Sequence, residues 1–249
     1  MTMTNGAADP ASGLAWIDLK RTARTTGLLY LAFFITGILG SMVVRGRLFV
    51  ADDPQGTLSN LVAHDSLART GIALELGIAL TQAVTAVWFY RLLRGVDRVA
   101  AGTLTAFGLV NAVAILGSAA VLATAREVAH DGSLAVTGGQ ASTTQLLYVV
   151  SGHVWGVAAV FFGLWLIPMG WLAIRSGWFP RLLGWLLIGA GICYVISAFS
   201  SYLFKGGELA TQLLTIPSIV GEVWIMAHLV IVGVRRRAVL TPSAGPWAE

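Results

Sequence analysis

The chain has 249 residues, of which 56% are hydrophobic and only 11% charged, with 29 glycines and a formal net charge of +4. Soluble domains carry about 25% charged residues, so this composition argues against a soluble globular protein. The positive balance is no nucleic-acid signal either, because the cations gather at the ends of apolar runs and not in a stripe with stacking aromatics.

Six apolar stretches cover residues 26–44, 67–90, 99–123, 145–174, 182–204 and 216–234. Each meets the ~20 residues that a helix needs to cross a hydrocarbon core of ~30 Å. They lack the polar alternation of barrel strands, so helices are the structure that satisfies their backbone in lipid. The expected fold is all-α, a polytopic bundle of six transmembrane helices. Residues 1–24 read as a polar N-terminal arm that is retained and not cleaved, 25–237 as the membrane domain, and 238–249 as a disordered tail.

Loops assigned alternately to two sides leave eleven of the sixteen Lys and Arg residues on the side of the termini. Basic residues near span ends resist translocation, so both termini are expected in the cytoplasm. Trp88, Phe89, Tyr90, Trp171, Trp178, Phe179 and Trp185 are expected to form an interfacial belt on that side. On the other side, 45–66 holds an amphipathic run with Leu58, Leu61 and Val62, expected to lie flat on the membrane. The stretch 125–144, with Gly138 and Gly139, reads as a mobile connection. Pro180 and Pro217 stand where helices are expected to begin, and Pro168 should kink the fourth span. Cys193 is the single cysteine and lies in the fifth span, so no intrachain disulfide can form.

Helical spacing gathers small and polar residues into stripes that should face the bundle interior. Gly71, Glu75, Gln82 and Ala86 share one face, as do Gly108, Asn111 and Ser118. Cys193, Ser197 and Ser200 form a third stripe, and Ser218 and Glu222 a fourth. Gly152-x-x-x-Gly156 is expected to let helices approach closely. Glu75, His153 and Glu222 each lie 5 to 8 residues into an even-numbered span, which places them in one layer. Ionisable groups at such depth are costly, and they mark a functional site unless they form a structural hydrogen-bond network. The candidate ligand-binding residues are Glu75, His153, Glu222, Gln82 and His228, the last expected near mid-membrane. Gly152-His153-Val154-Trp155 also resembles Gly221-Glu222-Val223-Trp224, a weak hint of an internal repeat. No metal site or cofactor is expected, since no ligand spacing, phosphate-cradling loop or nucleophile elbow is found.

Several segments resemble a bacterial membrane-protein family catalogued as domain of unknown function 4386. They are Arg21-Thr22-Ala23-Arg24 with Gly27-Leu28-Leu29-Tyr30-Leu31, Tyr90-Arg91-Leu92-Leu93, and Pro217 with Gly221-Glu222. The most specific piece is Gly163-Leu164-Trp165-Leu166-Ile167-Pro168-Met169-Gly170 followed by Ser176-Gly177-Trp178-Phe179-Pro180-Arg181-Leu182-Leu183-Gly184. The resemblance implies a six- or seven-helix membrane protein, multi-pass in a bacterial inner membrane, and brings no activity with it. The residues themselves point first to a carrier or sensor that binds a small cation, proton or polar solute in an outward-facing pocket. An intramembrane enzyme using a buried glutamate as general acid on a lipid or isoprenoid is the alternative, and a non-catalytic scaffold the third. The lipid bilayer is the expected surroundings, with a small polar or lipophilic ligand and no nucleic acid as partner. Oligomeric state is not legible.

Overall fold

The computed structural model describes residues 10–136, 139–204 and 208–235, and all regular structure among them is helical. Residues 1–9, Gly138 and the 238–249 tail lie outside the described residues. Helix α1 spans Pro10–Ile38 and continues through a π-helical segment, Leu39–Arg45, into the short α2, Gly46–Leu48. Then follow α3 (Pro54–Ala63), α4 (Asp65–Leu93), α5 (Arg98–His130), α6 (Gly139–Ser176), α7 (Arg181–Leu203) and α8 (Glu208–Ile231). Six helices are long and apolar enough to cross a membrane, as the sequence led us to expect.

The expected spans were too short at several ends. α1 begins at Pro10, inside the polar arm, and α5 runs on to His130, where Asp131 closes the helix and caps the turn behind it. Asp131 accepts hydrogen bonds from the Ser133 hydroxyl and backbone N–H, and these hold its carboxyl below the usual range. The 125–144 connection is therefore largely helical. Pro217 lies within α8 and not at its start, and α6 continues through Pro168. Polar helical turns outside the hydrocarbon are invisible to an apolar-run criterion.

Consecutive long helices pack side by side, and α1 closes the ring by packing between α4 and α8. The centre is aromatic. Tyr30 from α1, Phe89 from α4 and Trp165 from α6 are fully buried, with ring centroids 5.6 to 5.7 Å apart in edge-on pairs. Phe89 and Phe179 thus turn into the core, away from the expected belt, whereas Trp171 and Trp185 are exposed as a belt requires. At the end where α1 begins and α8 finishes, Asp97 caps α5 by accepting from Val99 and Ala100 and pairs with Arg175 at 2.6 Å. The backbone donors and the arginine hold its carboxyl below the usual range.

At the opposite end, α3 docks on α6 and does not lie free on the membrane. Pro54 at its first turn and Asp53 as its cap start it, and Leu61 is fully buried beside Leu48, Leu122 and Tyr148. Only Val62 of the expected membrane face is exposed. Gln145 clamps this cap by donating to the carbonyls of Val50 and Ala51, and Asp65 binds Arg69 and Arg126 at 2.8 and 2.5 Å.

Close helix approach occurs at other glycines than expected. Gly152 faces the Arg45 guanidinium and Gly156 the Tyr202 hydroxyl, so side chains occupy the space that Gly152-x-x-x-Gly156 provides. The backbone contact lies between α6 and α7, where a Cβ on Gly163 would meet the Gly191 carbonyl at 2.7 Å, and one on Gly191 would meet the Gly163 carbonyl at 2.6 Å. Gly170 and Gly184 repeat the contact one heptad along. A carbonyl held in a helix cannot move aside cheaply. Gly163→Ala should therefore lower stability by about 1–3 kcal/mol, the usual range for overpacking, as a reduced thermal midpoint in detergent. Gly189→Ala, where a Cβ meets nothing within 4 Å, should be neutral or slightly stabilising. Equal effects at the two positions would contradict this interface.

Candidate functional site

Between the capped end and the aromatic centre the helices enclose a cavity of about 580 Å³. That volume suits a small organic molecule, since ligand pockets run ~300–1,000 Å³. Six aromatic side chains line it: Phe33, Phe34, Tyr148, Trp155, Phe162 and Tyr194. Phe162 stacks on Trp155 with centroids 6.1 Å apart, and Phe33 and Tyr194 flank it at 6.3 and 6.1 Å. Aliphatic side chains such as Val44, Leu48, Ile78 and Leu122 complete an apolar wall.

Three ionisable side chains interrupt it. Glu75 on α4 is nearly buried and accepts from the Trp155 indole N–H at 3.1 Å, with the Ser118 hydroxyl on its other side. Ser118 pairs with Ser151 at 2.9 Å, and Ser151 accepts from Arg45 at 3.1 Å. Arg45 also donates to the Tyr148 carbonyl at 2.8 Å, with Phe49 and Tyr148 each 5.8 Å from its guanidinium carbon. Arg45 and Glu75 both line the cavity and attract each other across it without forming an ion pair within 4 Å. In the sequence Arg45 stands just past the first apolar stretch, at the start of the 45–66 connection. The π-helical segment that ends at this residue widens the turn and swings the side chain inward, and such segments recur at functional sites.

Glu222 on α8 forms the floor. It accepts from the Tyr30 hydroxyl at 2.5 Å, with Tyr194 and the Trp165 indole beside it. Trp165 Nε1 makes no hydrogen bond of ordinary geometry, so Tyr30 is the group that orients this carboxylate.

The two carboxylates share the cavity, Glu75 from α4 and Glu222 from α8. His153 does not join them. It is exposed on α6, its ring 6.1 Å from Tyr202, while its neighbours Gly152 and Trp155 face the cavity. The internal-repeat hint fails for the same reason, since Trp155 on α6 and Glu222 on α8 point into the cavity from non-equivalent places. Gln82 is 1% exposed but outside the lining, its Oε1 without a protein partner. His228 lies in the last turn of α8 and not at mid-membrane, its ring 5.2 Å from Phe179. Among the described residues, no three His, Cys, Asp or Glu side chains converge as metal ligands would.

A family model described as a domain of unknown function (DUF4386) matches residues 25–233. The chain belongs to this family. No curated protein and no solved structure matches it. Within the DUF4386 match, the segment Gly163–Gly170 supplies the α6 side of the glycine contact, and Gly184 supplies part of the α7 side. Gly177, between them, adopts φ +66°, a left-handed conformation that favours glycine and turns the chain from α6 to α7. Trp165 of the same segment is the centre of the aromatic core. This most specific part of the resemblance builds the scaffold, whereas Glu222, carried with Pro217 and Gly221, reaches the cavity itself.

Proposed function

We propose that this membrane protein binds a small organic cation with an apolar body in the aromatic cavity, as a carrier or sensor. The observation that carries the reading is the pairing of two carboxylates with six aromatic side chains around one space, against a single lining arginine already engaged by α6. Aromatic faces attract ammonium groups by their quadrupole, by ~0.5–2 kcal/mol each when desolvated, and discriminate against anions. A carboxylate below them supplies the counter-charge, and the remaining wall takes hydrocarbon. An ionisable residue inside a membrane domain is by default a functional candidate, and here the two face a space large enough for a ligand. The excess of basic residues on the terminal side supports cytoplasmic termini, which would place the α3 cap outside, and an inner-membrane location in a bacterium.

Tetraphenylphosphonium and tetraphenylborate, of nearly equal size and opposite charge, separate this reading from a merely greasy pocket. In nanodiscs the cation should bind one per chain and saturably, quenching tryptophan fluorescence through Trp155, and the anion should not. Equal binding of both, or of neither, would overturn the proposal.

A further inference from the structure

Buried side chains pack at both ends of the cavity. Towards α3 it is covered by the buried Leu48 and Leu61 with Tyr148 and Arg45, and towards the termini it is floored by Tyr30, Phe89 and Trp165. Its side is different. α1 and α8 clasp near the floor, where a Cβ on Gly27 would meet the Val230 backbone nitrogen at 2.9 Å. Two to three turns further on, the same two helices no longer seal the wall. Ile38 and Ile219 both line the cavity and are 51% and 55% exposed at the surface, while the adjacent Ser218 also lines it and is fully buried. Each helix is irregular at this level. The π-helical segment begins at Leu39, and Pro217 withholds the N–H that would bond the carbonyl of Leu213. The surface around the gap is apolar, with Ile35, Leu39, Ile216 and Val220 exposed. In a spanning helix this surface faces hydrocarbon.

We infer that the gap between α1 and α8 is a lateral portal from the bilayer, and that the ligand is a membrane-dissolved amphiphile, a lipophilic amine or alkylammonium. This rests on the cation-binding reading and names the chemical class of the cation. An alkyl chain in the gap exchanges one apolar surrounding for another, while the ammonium reaches Glu222, one turn from Ile219 and on the same face of α8. A fully hydrated cation would have to cross the apolar lip and lose its water there.

The test uses the full chain in nanodiscs with Cys193→Ser and Ser218→Cys. Labelling by a lipophilic benzyl thiosulfonate should be at least tenfold faster than by its charged trimethylammonium counterpart. Adding Ile219→Trp, a surface change whose folding is checked by the thermal midpoint, should slow the lipophilic reagent at least tenfold. Equal rates for the two reagents would reveal a water-filled mouth, and an unchanged rate with Ile219→Trp would place the opening elsewhere; either overturns the portal. Dodecyltrimethylammonium should protect Ser218→Cys at least tenfold. If lateral labelling stands and protection is absent, the portal survives and the lipophilic-cation occupant is refuted. If tetraphenylphosphonium protects and dodecyltrimethylammonium does not, cation binding survives and the alkylammonium class is refuted.

Discussion

Glu222→Gln should abolish most cation affinity while leaving the fold intact. The glutamine keeps an oxygen to accept from Tyr30, so the 2.5 Å contact that fixes the cavity floor has a neutral replacement of the same shape. What disappears is the counter-charge. Removing one partner of a desolvated charge pair costs about 2 kcal/mol or more, which is at least a ~30-fold rise in Kd for tetraphenylphosphonium. The thermal midpoint without ligand should stay within a few degrees of the parent or rise, since a buried carboxylate is replaced by an amide. A purely structural Glu222 gives the opposite pattern: a large fall in stability and unchanged affinity. That pattern would remove the floor carboxylate from the site.

Arg45→Gln should produce the largest loss of stability, and Glu75→Gln should restore part of it. Arg45 ties the π-helical end of α1 to α6 through Ser151 and the Tyr148 carbonyl, and its charge attracts Glu75 across the cavity. Without it, two bonds to a charged donor are lost and Glu75 stays nearly buried with no cation beside it. A loss of about 3 kcal/mol is expected, lowering the thermal midpoint by roughly 6–12 °C for a domain of this size. In the double variant the uncompensated carboxylate is gone, so about 1–3 kcal/mol should return as a coupling energy. Strictly additive losses would mean that Arg45 and Glu75 do not act on each other.

Hydrophobic length is a one-dimensional property, and the six spans were legible because bilayer thickness sets it directly. Their ends were not, since Pro10–Lys20 and Glu208–Thr215 include helix outside the apolar windows. The inward stripes Glu75 with Gln82 and Asn111 with Ser118 followed from helical periodicity, and all four are buried. His153 was misplaced because depth says nothing of azimuth: one residue from Gly152 is about 100° of rotation, enough to leave the cavity. Arg45 could not be found by periodicity, because a π-helical segment breaks the 3.6-residue phase that periodicity assumes. The glycine contact was written in the sequence as a seven-residue spacing on each side, Gly163 to Gly170 and Gly184 to Gly191.

A structure of the protein with tetraphenylarsonium in a lipid nanodisc or lipidic crystal tests the cavity most directly, since arsenic marks the position of the cation. The expected result is a single arsenic site per chain inside the cavity, with phenyl groups against Trp155, Phe162 and Tyr194 and the centre of charge towards Glu222. Arsenic on the outer face of the helices, at the headgroup level, or absent from the cavity at saturating ligand would contradict the account.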